Sequence, residues 1–291
     1  MTHQTIGSKR QKTFSNTGIH STMMAYRVAT WRIRSLPDFI IIGAQRCGTT
    51  SLYEYLIEHP CVAPAFTKEV HFFDINFGRG VAWYRAHFPS LPYKYFAKQI
   101  RAHNILTGEA TPYYIFHPHA PKRVSKILPR VKLIALLRNP VDRAYSHYHL
   151  EVRNGAETLS FEDALEREAK MVSRERERIT QDENYQSLAH QRHSYLSRGI
   201  YVDQLEVWES LFPREQILVL RSEDFDADPA TTLRSVLKFL NLPSWEPQEY
   251  GKYHQARYPK MDPATRRRLV SYFEPHNQSL YEFLGVNFEW D

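Results

Sequence analysis

Residues 39–52 read Phe39-Ile40-Ile41-Ile42-Gly43-Ala44-Gln45-Arg46-Cys47-Gly48-Thr49-Thr50-Ser51-Leu52. The apolar run Phe39–Ile42 is short enough to be a strand buried on both faces. Gly43 and Gly48 bracket a turn, and Thr49 opens an apolar-periodic helix predicted over Thr49–Glu58. A Gly-rich turn between a buried strand and a helix start directs backbone N–H groups and the positive end of the helix dipole at an anion, and phosphate suits that geometry. The loop is not a Walker A sequence, which requires lysine directly after the second glycine. Thr49 stands there instead, and the loop's cation is Arg46. Hydroxyls at the helix start with a displaced cation predict a nucleotide that needs no bound magnesium.

The rest of the chain is consistent with one α/β domain. Its 291 residues, 42% hydrophobic and 24% charged, can bury a sizeable core. A net charge of +6 suits an anionic ligand without specifying one. Two cysteines, Cys47 and Cys61, cannot form a disulfide framework. No stretch approaches the roughly 18 consecutive apolar residues of a membrane span, and no signal-peptide core is evident, so the simplest expectation is a cytoplasmic protein. Residues 1–36 read as a basic N-terminal segment, disordered to about residue 20, with a short amphipathic helix over 22–34 that packs on the domain or rests on a membrane surface. Residues 37–291 form the domain. Strands are predicted at Phe39–Ile42, Leu106–Gly108, Val131–Leu137 and Gln216–Leu220, with helical patterns at Thr49–Glu58, Val141–Arg153 and Pro229–Leu240. That alternation predicts a central parallel sheet flanked by helices, with ligands at the carboxyl ends of its strands. The charge-dense stretch Ser160–Gln186 reads as an exposed helix, a solvated face or a helical insertion, with a lid over the substrate as the functional alternative, and residues 262–284 read as two helices with Pro275 starting the second.

Four further segments carry chemistry. Lys68-Glu69-Val70-His71-Phe72-Phe73-Asp74 sets a cation, two carboxylates and an imidazole among aromatics, whose desolvation would make Glu69 or His71 a base near neutral pH. Arg138-Asn139-Pro140 leaves a buried strand, and Ser146 follows Arg138 by eight residues, about two helical turns. The pair can grip a second phosphate, or Arg138 can cap a neighbouring helix. Gly108-Glu109-Ala110-Thr111 follows another strand, where Glu109 either orients cations or satisfies a turn. Lys252-Tyr253-His254-Gln255-Ala256-Arg257-Tyr258 clusters rings and cations that can cover a phosphorylated adenosine. The 14 histidines show no metal-ligand spacing, and no metal site is expected.

Together these motifs resemble the sulfotransferases that use 3′-phosphoadenosine 5′-phosphosulfate (PAPS), from about Asp38 to Trp290. The Lys68–Asp74 heptad and the end from Arg257-Tyr258-Pro259-Lys260-Met261-Asp262 to Trp290 resemble the heparan sulfate branch, both the N-sulfotransferase and glucosaminyl 3-O-sulfotransferase types. The branch's Golgi anchor and C-terminal cysteine pair are not found, so the chain looks like a soluble, bacterial-type relative. The resemblance implies a P-loop-like sulfotransferase fold. It assigns the 5′-phosphosulfate to Gln45, Arg46, Cys47, Gly48, Thr49, Thr50 and Ser51, with Arg46 where the family usually has lysine. It assigns the 3′-phosphate to Arg138 and Ser146, and the cofactor-covering loop to His254, Arg257 and Tyr258, in place of a loop usually richer in Lys-Gly-Arg. Glu69 matches the family's base, with Lys68, His71 and Asp74 around it.

The resulting expectation is an enzyme that moves the sulfuryl group of PAPS in line to a hydroxyl or amine, leaving PAP, the 3′,5′-bisphosphate. Arg46 and the loop would stabilise the departing charge. A sugar hydroxyl, a glycan amine and a secondary metabolite all stay open as acceptor. A P-loop NTPase would need lysine at position 49. A nucleic-acid-binding module would explain the basic charge but neither phosphate grip nor the Glu69 heptad, and no nucleic-acid partner is expected.

Overall fold

The computed structural model describes residues 12–251 and 258–290, with side chains from His20 onward. Five strands, β1 (Phe39–Gly43), β2 (Val62–Pro64), β3 (Leu106–Ala110), β4 (Lys132–Leu137) and β5 (Ile217–Arg221), form one sheet. Their order is β2-β3-β1-β4-β5 and every pairing is parallel. The chain leaves central β1 for one edge and returns to build the other, so its connections diverge on either side of β1. In such sheets ligands bind where the connections diverge, beyond the carboxyl ends of the strands. The loop after Gly43, the residue Arg138 after β4 and the Glu109–Thr111 segment all lie at that end.

Parallel strands covered on both faces must be apolar throughout. Phe39 to Ile42 and Leu133 to Leu137 are all 0% exposed. Helix α2 (Thr49–Glu58) and helix Pro229–Leu240 occupy the spans predicted from periodicity, and the helix after Asn139 begins at Pro140 and ends at Arg153. Strand β2 was not anticipated. At three residues ending in proline, it is too short to show a period.

Two expectations are corrected. Helix α1 (Lys12–Ala29) begins inside the stretch expected to be disordered, and it ends before residue 34, where the turn Trp31–Ile33 takes over. Arg27 ties it to the domain, Nε donating to Ala86 O (2.6 Å) and Nη2 to Phe88 O (2.8 Å). Arg85 reciprocates by donating to Arg34 O. Next, residues 263–284 form one helix, Pro263–Leu284, with Pro275 inside it. Proline removes one N–H and crowds the preceding turn. The buried stripe Leu269, Phe273, Asn277 and Leu280 nevertheless runs past it without a phase change, so packing holds both halves in line. The charged stretch forms the expected helix, Phe161–Gln181, with Phe161, Ala164, Leu165, Glu168, Val172 and Ile179 buried on one face and most of its other charged residues exposed. It is a packed element of the domain. Among the described residues no helix is long and apolar enough to cross a membrane.

Gly108 lies opposite Phe39 in the β1–β3 register, and a Cβ there would sit 2.5 Å from the Phe39 ring. Gly108→Ala is therefore expected to cost about 1–3 kcal/mol as overpacking, read as a lower urea midpoint at unchanged slope. An unchanged midpoint would show that the ring can yield.

Candidate functional site

The first loop takes its shape from two backbone reversals, Arg46 at φ 73° and Gly48 at φ 86°. Where the loop leaves β1, only glycine fits at position 43, because a Cβ there would lie 2.4 Å from Ile115 Cγ2. The first bond of α2 runs from Leu52 N–H to Gly48 O (3.1 Å). The amides of Thr49, Thr50 and Ser51 precede it and have no partner within the helix. Three aligned amides at the positive end of a helix, after a reversed turn, make a nest for an anion. Within the loop, Cys47 is 0% exposed and burial pushes its thiol up to about 11. Its side chain packs, leaving its backbone to the loop. Thr49 is also buried, at 4% exposure, whereas Thr50 and Ser51 are half-buried at the loop's edge.

Three segments converge on Arg46. Its Nε donates to Ser146 Oγ (3.0 Å), and its carbonyl accepts from Arg138 Nη1 (3.3 Å). The strand end after β4 and the helix Pro140–Arg153 thus bring the two expected phosphate grips together. Burial pulls the Arg46 guanidinium below its usual range; Tyr258 opposes this, while Arg153 and Arg138 repel it further. Tyr258 stacks on His149 (4.5 Å between centroids) and meets Tyr145 edge-on (5.5 Å), which places it against the helix that carries Ser146. His254 and Arg257 lie outside the described residues.

The heptad 68–74 closes the site from the other side. Lys68 Nζ donates to Thr50 Oγ1 (2.7 Å) and pairs with Glu69 Oε1 (3.0 Å). His71 meets Glu69 Oε2 through Nε2 (3.5 Å) and Asp74 Oδ2 through Nδ1 (2.7 Å). Burial would lower His71, but Asp74 and then Glu69 lift its imidazole to about 10. Desolvation of Glu69 by the heptad's aromatics is not found. Phe72 and Phe73 are 0% exposed and point into the core, and the Glu69 side chain is 42% exposed. What burial it has would raise its carboxyl, but hydrogen bonds from His71 and Lys68 hold it below the ordinary carboxylate range. At neutral pH the carboxylate is free to accept a proton, whereas the imidazolium already carries one.

Glu109 serves one backbone amide and a set of hydroxyls rather than the cations. Its carboxylate accepts from Val70 N–H (3.2 Å), Tyr84 OH (2.7 Å) and Thr111 Oγ1 (2.6 Å), and burial raises it to about 7. Two residues escaped the sequence reading. Arg198 donates from Nη1 to Gln45 Oε1 (2.6 Å) and lies 4.7 Å from the Tyr113 ring, with burial pulling it down to about 10. Its turn is held by Glu168, which accepts from the amides of Tyr195 (2.7 Å), Leu196 (2.7 Å) and Ser197 (2.9 Å). A signal for Glu168 was present: it shares a helical face with Phe161, Ala164, Leu165 and Val172. Beside Glu69 and His71 opens a cleft of about 1100 Å³. A separate cavity of about 720 Å³, lined by Asp38, Leu106 and Lys132, lies at the amino ends of the strands, away from this chemistry. Among the described residues no three His, Cys, Asp or Glu side chains group as metal ligands.

The sulfotransferase-domain family model matches residues 36–288. The membrane-associated sulfotransferase kil1 of Dictyostelium discoideum is 28% identical over 324 residues, covering 89% of this chain and 67% of that protein. Human heparan sulfate glucosamine 3-O-sulfotransferase 5 is 30% identical over 283 residues, 89% of this chain and 75% of its own. A solved sulfotransferase from Alicyclobacillus acidocaldarius superposes with a TM-score of 0.65 at 30% identity, over 87% of this chain and 98% of its own. The match runs from the strand before the phosphate-type loop to the end of the fold, and it makes this chain a member of the sulfotransferase family, close to the heparan sulfate branch.

Proposed function

We propose that this enzyme transfers the sulfuryl group of PAPS to a hydroxyl or amine of a carbohydrate or small-molecule acceptor, with Glu69 taking the acceptor's proton. One observation carries this reading: the Lys68 ammonium touches both Thr50, at the head of the anion-binding helix, and Glu69. The place where a leaving phosphate gains charge and the place where a proton arrives share one cation. Bound PAPS supplies an activated sulfuryl group on a phosphate that departs with extra negative charge. The residues present fit such a group, because Arg46 stands beside the nest of amides with Arg138 and Arg153 both acting on it as like charges, a repulsion that a bound bisphosphate relieves.

In this reading the amides of Thr49–Ser51, Arg46, Lys68 and the Thr50 hydroxyl bind the 5′ side. Gln45, steadied by Arg198, and the backbone of Cys47 and Gly48 shape the loop. Arg138 and Ser146 hold the 3′-phosphate. Tyr258 borders the nucleoside, with His254 and Arg257 assigned to the same cover by the family resemblance. Glu69 draws the proton off as the nucleophile advances, and His71, fixed by Asp74, orients the carboxylate. Preorganised cations around the leaving group supply most of the rate enhancement.

The donor assignment is tested by thermal shift. PAP is expected to raise Tm with EDTA present, and ATP to do far less, since Arg138 and Ser146 would lack a 3′-phosphate. Arg138→Ala should weaken PAP by about 2 kcal/mol, the scale of a charged hydrogen bond; undiminished affinity would give Arg138 a purely structural task. Glu69→Gln is expected to keep PAP affinity and lose roughly 100-fold or more in kcat, and wild-type turnover by this variant would remove Glu69 as the base.

His71 gives a pH signature. Its folded pKa of about 10 exceeds the 6.5 of a free imidazole, so its contribution to stability is full below pH 6.5 and fades as pH rises towards 10. The stability lost in His71→Gln should shrink between urea melts at pH 6 and pH 10, and an equal loss at both would mean the imidazole is not held protonated.

A further inference from the structure

We infer that the acceptor is a single hydroxyl on an apolar skeleton, an alcohol or a phenol, which reaches Glu69 through the cleft between α1 and residues 67–87. This rests on the reading of Glu69 and the donor site given above, and it departs from the polyanionic acceptor in the name of the human relative. One wall is Met24, Ala25 and Val28, a single face of α1; the other is built from Val70, Ile75 and Trp83. The α1 wall is anchored, because Arg27 bonds two carbonyls of the domain and lies 4.9 Å from the Phe66 ring. At about 1100 Å³ the cleft has room for a small organic molecule, with apolar walls, an open side towards solvent, and Ser21, Thr67 and Asn76 as uncharged polar groups in its lining.

Charge argues the same way. A sulfated sugar chain needs a cation for most of its anions, since a carboxylate or sulfate buried without a partner is costly. Among the described residues lining the cleft, arginine occurs once, as Arg79, whose guanidinium lies 4.9 Å from the Trp83 ring. The cationic His71 is already matched by Asp74 and Glu69. His87, also in the lining, is 4% exposed, and neither of its ring nitrogens has a hydrogen-bond partner. Burial, then Arg27, His20 and Arg79, pull it down to about 4. A neutral imidazole can donate to or accept from an uncharged polar group and gives an anion no charge. In the transfer, the acceptor oxygen bonds to sulfur as the sulfur–oxygen bond to the donor phosphate breaks. That electron pair leaves with the phosphate, and the hydroxyl proton passes to the Glu69 carboxylate, with no change of oxidation state.

The full chain is assayed with PAPS and three acceptors: 2-naphthol, 1-decanol and an N-sulfated heparan oligosaccharide. Binding of each to the PAP-loaded protein is measured by calorimetry, independently of turnover. The two apolar hydroxyls are expected to bind and to exceed the oligosaccharide in kcat/KM by about tenfold or more. Ala25→Trp, which builds an indole into the wall, should raise their KM by about tenfold and leave the PAP thermal shift unchanged. Oligosaccharide preferred over both, or neither apolar hydroxyl bound, or KM unmoved in Ala25→Trp, overturns the acceptor class; a persisting PAP shift would then leave the donor reading intact. Loss of the PAP shift in the wild-type chain overturns both.

Discussion

The carboxylate of Glu109, wholly buried at the end of β3, binds the Val70 amide and the hydroxyls of Tyr84 and Thr111 at once. A buried carboxylate short of partners would cost more than the fold can offset, so these donors are held as firmly as they hold it. Val70 follows the candidate base, and Tyr114 OH adds bonds from the Phe72 and Phe73 amides. The heptad carries no regular secondary structure, yet its backbone is fixed to the central sheet through side chains of the 109–114 segment. That attachment sets where Glu69 stands relative to the loop between β1 and α2.

Around that frame the charges are arranged asymmetrically. Arg46, Arg138 and Lys68 gather at the loop, and the carboxylates Glu69 and Asp74 lie on the heptad with His71 between them. Depressing Glu69 below its ordinary range makes it a weaker base but keeps it ionised. Burial removes Cys47 from this chemistry and pushes it into the packing.

Much of this was legible along the chain where the causes are local. The loop, α2 and helix Pro229–Leu240 follow from Gly48 in a left-handed turn and from Pro229 after the capping Asp228, signals that lie within a few residues of the boundaries they set. The heptad and the Arg138–Ser146 pair were visible as residue types, and the structure brings both against the loop. Pro275 misled because the decision to continue a helix was made by a buried stripe and its tertiary partners. Arg198 and Glu168 were missed for a related reason. Each acts through a segment remote in sequence, Gln45 for one and the 195–197 amides for the other, and only the folded chain makes those neighbours.

Helix α1 lies ahead of residues 36–288, which the family model covers, yet it supplies a wall of the cleft beside Glu69. One wall of that cleft thus comes from ahead of the matched residues and the other, with Val70, Ile75 and Trp83, from within them, and Arg27 holds the two together. A substitution on the α1 face, at Met24, Ala25 or Val28, therefore changes the shape of the cleft without touching the loop between β1 and α2.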